Sequence, residues 1–239
     1  MRSIIIILFF TCLGTVFAQS GKKNILVVTG GHDFEEGPFF EMFESLKEVT
    51  YTHVTQPMAN TLYSSSEMDK YDAIVFYDMW QAIEEDQKEA FVRLLKDGKG
   101  IVFLHHSMVS YQEWPEFIKI LGGKYHALPY EKEGKMVSES TYKHDVEMKV
   151  SIEDKKHFIT KGMKDFTLFD ETYGNFEVLE SSHPLLKTDH AESSPVIGWT
   201  NNYGKARIVY LQPGHGAQSF KDENYRRLLF KSIHWVSAR

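Results

Sequence analysis

The sequence predicts an α/β fold, an open and mostly parallel sheet with helices on both faces. Short apolar runs rich in β-branched residues, such as NILVVT at 24–29 and AIVFY at 73–77, alternate with segments whose apolar residues recur at helical spacing. Strand, helix, strand, helix is the pattern of crossover units. Their connections are right-handed and cover both faces of a parallel sheet.

Residues 1–18 stand apart from that pattern. Arg2 gives a positive start, IIIILFF fills 4–10, and Val16-Phe17-Ala18 places small residues where a signal peptidase reads. A secretory signal cleaved near Ala18 is expected, leaving 19–239 as one domain, secreted to the periplasm. The apolar block is too short to span a bilayer. Phe10 and Thr11 before Cys12 are poor lipoprotein-signal residues.

The first strand, 24–29, is bounded by Gly30-Gly31. Pro38 sits at a plausible first helical position, with Glu35 and Glu36 near the positive helix start. Phe39, Phe40, Phe43 and Leu46 then follow at helical spacing. Strands are expected at 50–55 and 73–77. The face Ile83, Ala90, Phe91, Leu94, Leu95 predicts a helix stopped at Asp97-Gly98. The strand at 100–104 follows, then a short helix within 112–121 with Pro115 near its start. Residues 122–145, rich in Gly, Lys and Glu, read as a long excursion. Strands are expected at 146–152 and 175–180. A pair at 195–200 and 206–212 is joined by a turn through Asn201, Asn202 and Gly204. A last helix from about Asp222 buries Tyr225, Leu228, Leu229, Ile233 and Val236.

Composition narrows the function. The net charge of −6 without a basic run argues against a nucleic-acid partner. The one cysteine, Cys12, leaves with the signal, so the mature chain has no disulfide, thiolate ligand or cysteine nucleophile. No GxGxxG follows a strand and no GKS/T loop occurs, so no nucleotide cofactor is expected. There is no GxSxG elbow either.

Three strands run into histidine: GGHD with His32 and Asp33, HHS with His105 and His106, and PGHG with His215. Another ends YDMW, with Asp78 and Trp80. Ligands of open parallel sheets bind outside the strands' carboxyl ends, so these residues are expected to converge on one crevice. A single histidine there is more often structural than a ligand; three are harder to dismiss. The glycines beside His32 and His215 let backbone or ligand approach closely. DETY at 170–173 is either a solvated acidic turn or an acid/base and ligand group, with Asp170 and Glu171, that meets the histidines. Imidazole plus carboxylate suits zinc or another divalent first-row metal, although the spacing matches no zinc motif. Trp80, Trp114, Tyr111 and Tyr125 suit stacking on sugars, and equally suit a core or its rim.

The order GGHD, FLHHSMVSYQEW, LGGKYH, DETY, GWTNNYGKARIVYLQPGHG and a final IHW resembles the ThuA-like (trehalose utilisation) family over the whole mature chain. One departure is His157-Phe158, where the family commonly has His-Pro. The resemblance implies a flavodoxin-like sheet related to class I glutamine amidotransferases. Those enzymes need a cysteine at the strand-to-helix elbow, where this chain offers His105, His106 and Ser107, so glutaminase chemistry is excluded. The resemblance further implies a role in disaccharide catabolism, on keto-glycosides, by hydrolysis, lyase or isomerase chemistry. The expected catalytic residues are Glu171, His105 and His215. Asp33, Asp78, Trp80, His106, Trp114 and Tyr173 are expected to bind a small saccharide. His32, His106 and His215 are expected to hold any metal. The rival reading is a non-catalytic carbohydrate-binding protein.

Overall fold

The computed structural model describes residues 21–238, so the expected signal segment lies outside the described residues. The chain opens with β1 (Lys23–Gly30), α1 (Glu36–Glu44), β2 (Val49–Thr55), α2 (Met58–Leu62) and β3 (Ala73–Asp78). It continues through α3 (Glu85–Asp97), β4 (Gly100–Leu104) and α4 (Pro115–Leu121). A run of strands follows: β5 (Gly123–Lys124), β6 (Tyr130–Lys132), β7 (Lys135–Val137), β8 (Thr141–Ile152), β9 (Phe166–Gly174), β10 (Glu177–Val178) and β11 (His183–Lys187). Last come β12 (Val196–Tyr203), β13 (Ala206–Leu211), α5 (Ala217–Lys221) and α6 (Glu223–Val236).

Among the described residues the main sheet has nine strands in the order β2-β1-β3-β4-β13-β12-β11-β8-β9. The first five are parallel, and the rest pair antiparallel. The apolar runs of β1, β3 and β4 are buried because helices cover both faces. On one face Phe39, Met42 and Phe43 of α1 pack with Tyr225, Leu228 and Leu229 of α6. On the other, Phe91 and Leu95 of α3 pack with Phe117, Ile120 and Leu121 of α4. Gly98 ends α3 in the left-handed conformation, φ 104°, and the Asp222 side chain caps α6 at the amides of Asn224 and Tyr225.

Several expectations need correction. Residues 122–145 are not an irregular excursion but hold β5, the β6–β7 hairpin and the start of β8. The strand expected at 175–180 shrinks to Glu177–Val178, which pairs with β5. Two further strands went unpredicted. β9 carries acids in its middle, and β11 is short and contains Pro184. Pro38 is the third residue of α1 rather than the first. Asn201 and Asn202 lie within β12, and the turn is at Gly204 and Lys205. DETY is the buried end of β9 rather than a solvated turn.

Candidate active site

The order β2-β1-β3 reverses the winding between β1 and β3, the place where doubly wound sheets bind ligands. His32 follows β1, His105 and His106 follow β4, and His215 follows β13. Above them opens a cavity of about 290 Å³ walled by His32, His106, His144, His215, Glu171 and Tyr173, with Trp80 and Tyr142 also facing it. The antiparallel end of the sheet curls back over this edge. The Gln212 side chain donates to the Glu171 carbonyl at 2.8 Å, and the Gly214 amide donates to Asp170 at 2.7 Å.

Two glycines make the close approach possible. A Cβ on Gly31, φ +82°, would lie 1.9 Å from the Met79 carbonyl oxygen. One on Gly214, φ +124°, would lie 2.1 Å from the Tyr225 hydroxyl. His105 and Trp80 adopt positive φ without being glycine, 49° and 52°. Such backbone costs about 1–3 kcal/mol and gathers at functional sites.

Hydrogen bonds fix the ring states. His105 Nδ1 lies 2.7 Å from the Gln212 carbonyl, which only accepts, so Nδ1 carries the proton. His105 Nε2 lies 2.9 Å from the Tyr173 hydroxyl. His106 Nδ1 likewise donates to the Asp78 carbonyl at 3.0 Å. Its bare Nε2 is buried without a partner among the described residues. Burial first, then the neighbouring His105, holds the His106 imidazole well below its ordinary pKa, so it stays neutral.

Alternation along β9 divides DETY. Glu171 and Tyr173 face the cavity, while Asp170 and Thr172 point to the other side. Asp170 accepts from the amides of Glu171, Gly214 and His215 and from the Ser219 hydroxyl. It thereby fixes the loop that presents His215. Glu171 Oε2 lies 2.7 Å from His215 Nδ1, 3.0 Å from His144 Nδ1 and 3.8 Å from His105 Nε2. Burial pushes the Glu171 carboxyl up, but contacts with His105 and His215 overcome it and hold it well below the usual range. The bond to Glu171 raises the His215 imidazole against the opposing effect of burial. Neither lysine nor arginine lines the cavity among the described residues.

The structure thus brings His32, His105, His106, His215, Glu171, Tyr173 and Trp80 together. Three expected binding residues lie elsewhere. Trp114 packs against Phe91, Tyr111 and Phe117 beneath α4, because its ring is needed to fill that layer. Asp78 is fully buried under the floor, where its carboxyl oxygen accepts from Gln56 at 3.1 Å. Asp33 is exposed in a shallow depression beside the cavity. The donor atoms that converge most closely among the described residues belong to His105, Glu171 and His215, within 4.8 Å of one another. The expected metal set of His32, His106 and His215 shares the cavity without that convergence. Sequence reasoning missed His144 and Tyr142. Plain alternation from the predicted strand at 146–152 would put both on the core face, and the extra residue at 144–145 turns them to the cavity instead, so local spacing carried no signal for them.

The ThuA family, described as trehalose utilisation, matches residues 24–236. The chain belongs to the ThuA family. Its structure is similar to a ThuA-like protein from Parabacteroides merdae ATCC 43184, with TM-score 0.73 and 18% identity over 91% of this chain and 90% of that one. A ThuA-like protein from Bacteroides uniformis ATCC 8492 gives TM-score 0.69 and 20% identity over 92% and 93%. A GMP synthase-type protein from Thermoplasma acidophilum gives TM-score 0.52 and 16% identity over 89% and 93%. At these identities the likeness speaks for the fold, that of ThuA-like proteins and glutamine amidotransferases. No curated protein matches the chain. In this ThuA family member the strained turn after β4 presents His105 and no thiol, since the only cysteine is Cys12. The family description points to a carbohydrate-related role. Among the described residues no helix is long and apolar enough to cross a membrane.

Proposed function

We propose that this ThuA family member is an exported enzyme of carbohydrate breakdown that moves protons beside the carbonyl of a keto-glycoside. One observation carries the reading: an ionised, buried Glu171 shares its cavity with four imidazoles, with the exposed indole of Trp80 at the rim. The family description, trehalose utilisation, supplies the substrate class. The cavity of about 290 Å³ is at the small end of ligand sites, on the scale of a sugar ring. Trp80 and Tyr142 offer aromatic faces for its C–H surface.

The chemistry follows from the proton positions. A ketone acidifies the C–H on the adjoining carbon. The bare Nε2 of His106 takes that proton, and the C–H electron pair becomes an enolate. The enolate oxygen is stabilised by His215, whose charge Glu171 sustains. The enolate then expels the glycosidic oxygen, which takes a proton from His144 at the rim. Water added to the resulting enone gives net hydrolysis, and returning the proton to carbon gives isomerisation. His105, locked by Gln212, keeps Tyr173 and His215 in place.

The test compares 3-ketotrehalose with trehalose in deuterated buffer, using protein beginning at residue 19. The expected result is deuterium uptake beside the ketone and bond cleavage for the keto-sugar alone. Glu171→Gln should lower the rate roughly 100-fold or more at unchanged secondary structure. Binding of plain trehalose with neither exchange nor cleavage of the keto form would turn the reading toward a binding protein. N-terminal sequencing of protein recovered from the periplasm should start at Gln19.

A further inference from the structure

Several features outside the catalytic proposal have structural explanations. The Asp154–His183 pair lies on the surface. His126 stacks on Tyr130 and faces Glu177 and Lys132, which pair with each other. The cluster of His105, Glu171 and His215 is different, because its geometry exceeds what a hydrogen-bond network needs.

We propose that His105 Nε2, Glu171 Oε2 and His215 Nδ1 form a site for one divalent first-row metal ion, zinc by first choice, with an open coordination position facing the cavity. The donor separations are 3.2 Å between the imidazoles, 2.7 Å from His215 to Glu171 and 3.8 Å from His105 to Glu171. Around a zinc with bonds of about 2.0–2.2 Å, tetrahedral donors stand about 3.4 Å apart. The three atoms therefore need shifts of only a few tenths of an ångström to half an ångström.

The shell behind the donors has the form that metal sites take. A ligating histidine usually gives its other ring N–H to a carbonyl or carboxylate, which fixes the tautomer. His105 does this with the Gln212 carbonyl. The backbone of His215 is pinned by Asp170 at its amide and by the Tyr77 hydroxyl at its carbonyl. His144, 3.0 Å from Glu171 Oε2, orients the carboxylate. No lysine or arginine lines the cavity, so among the described residues that line it imidazoles alone face the buried carboxylate. A second observation is independent of the triad. His106 is 2% exposed, its Nε2 has no partner among the described residues, and it lines the same cavity. A metal-bound water or sugar oxygen would satisfy that nitrogen. Two histidines, one carboxylate and an open position suit divalent zinc, manganese, iron or cobalt. On binding, the proton shared between His215 Nδ1 and Glu171 leaves to solvent, and the ion takes over the electrophilic part assigned to His215.

The test uses the untagged mature chain, stripped with chelator and dialysed against zinc, manganese or cobalt chloride. Metal content is measured by plasma mass spectrometry, affinity by calorimetry, and the cobalt form by its visible spectrum. One equivalent per chain is expected. Affinity should fall roughly 100-fold or more in His215→Ala and Glu171→Gln and stay unchanged in His183→Ala, a surface control. The His215 side chain is 32% exposed against 6% for Glu171, so of the two ligand variants it is the less at risk of misfolding, and its melting curve is recorded alongside. No stoichiometric binding by the wild-type chain overturns the proposal. So does binding that survives in folded His215→Ala. The result is separable from the carbohydrate reading: metal bound without turnover of keto-sugar leaves the site standing, and a wild-type chain that turns over keto-sugar but binds no stoichiometric metal removes the site alone.

Discussion

Asp78 and Glu171 are both buried carboxyl groups, yet their surroundings push them in opposite directions. Glu171 meets imidazoles and stays charged. Asp78 has mainly neutral neighbours, and burial raises it from 3.8 to about 7, against the lowering effect of Gln56. The native state therefore keeps a proton on Asp78 that the unfolded chain loses above about pH 4. Its contribution to stability is most favourable below that pH, falls as pH rises to about 7, and is flat beyond. Asp78→Asn preserves the shape without the ionisable proton. It should match wild type at about pH 4 and be more stable at about pH 8, by a few kcal/mol at most. Urea midpoints at both values check this, and parallel curves for the two proteins would refute it. Asp170 has a different task. Its two oxygens accept from three amides and a hydroxyl. An amide replacement would set an NH₂ against N–H donors. Asp170→Asn should cost about 3 kcal/mol and lower activity through loss of the His215 loop. A melting temperature within a degree of wild type would contradict this.

At the scale of elements, the sequence made the parallel half plain and the antiparallel half obscure, for a physical reason. The strands β1, β3 and β4 are buried on both faces, so they read as unbroken apolar runs. The strand β9 places Asp170, Glu171 and Thr172 in its middle because it is built around the site, and acids in a strand defeat propensity. The histidines after β1, β4 and β13 were legible because a strand end needs only local sequence to recognise. His144 was not, because its aim depends on a bulge. Lys143 pairs with Thr172 and Val146 with Asp170, so His144 and Asp145 together oppose Glu171. Asp145 takes up the distortion at φ 57°. Deleting Asp145 should restore regular register with His144 alone opposite Glu171, and with His144 and Tyr142 still on the cavity face. Activity on keto-sugar is then expected to stay well above that of His144→Ala, with only a small change in melting temperature. Activity as low as that of His144→Ala would show that the distortion of the bulge, and not the face alone, aims the rim imidazole.

Across the whole molecule, the crevice is made by two halves of one sheet that differ in how they are held. The five parallel strands lie between two helical layers and form the floor. The roof, β8 and β9, is the far edge of the sheet, tied to the floor by the Gln212 side chain and by Asp170. This closure was beyond local reading, since Gln212 and Glu171 meet only because four antiparallel pairings bring the chain back over the strand ends. The arrangement predicts unequal local stability, with the roof opening before the core. Gln212→Leu leaves the Glu171 carbonyl without its 2.8 Å donor and Thr172 without its partner at 3.3 Å, both buried. Global stability should fall by about 2 kcal/mol. Amide exchange should speed most in β8 and β9, while β1, β3 and β4 keep their order of protection. The main-chain carbonyl of residue 212, which orders His105, remains in the variant, so the floor histidines should keep their tautomers. Loss of protection spread evenly over all strands would mean that floor and roof unfold as one unit, and that the Gln212 clasp does not govern the opening of the site.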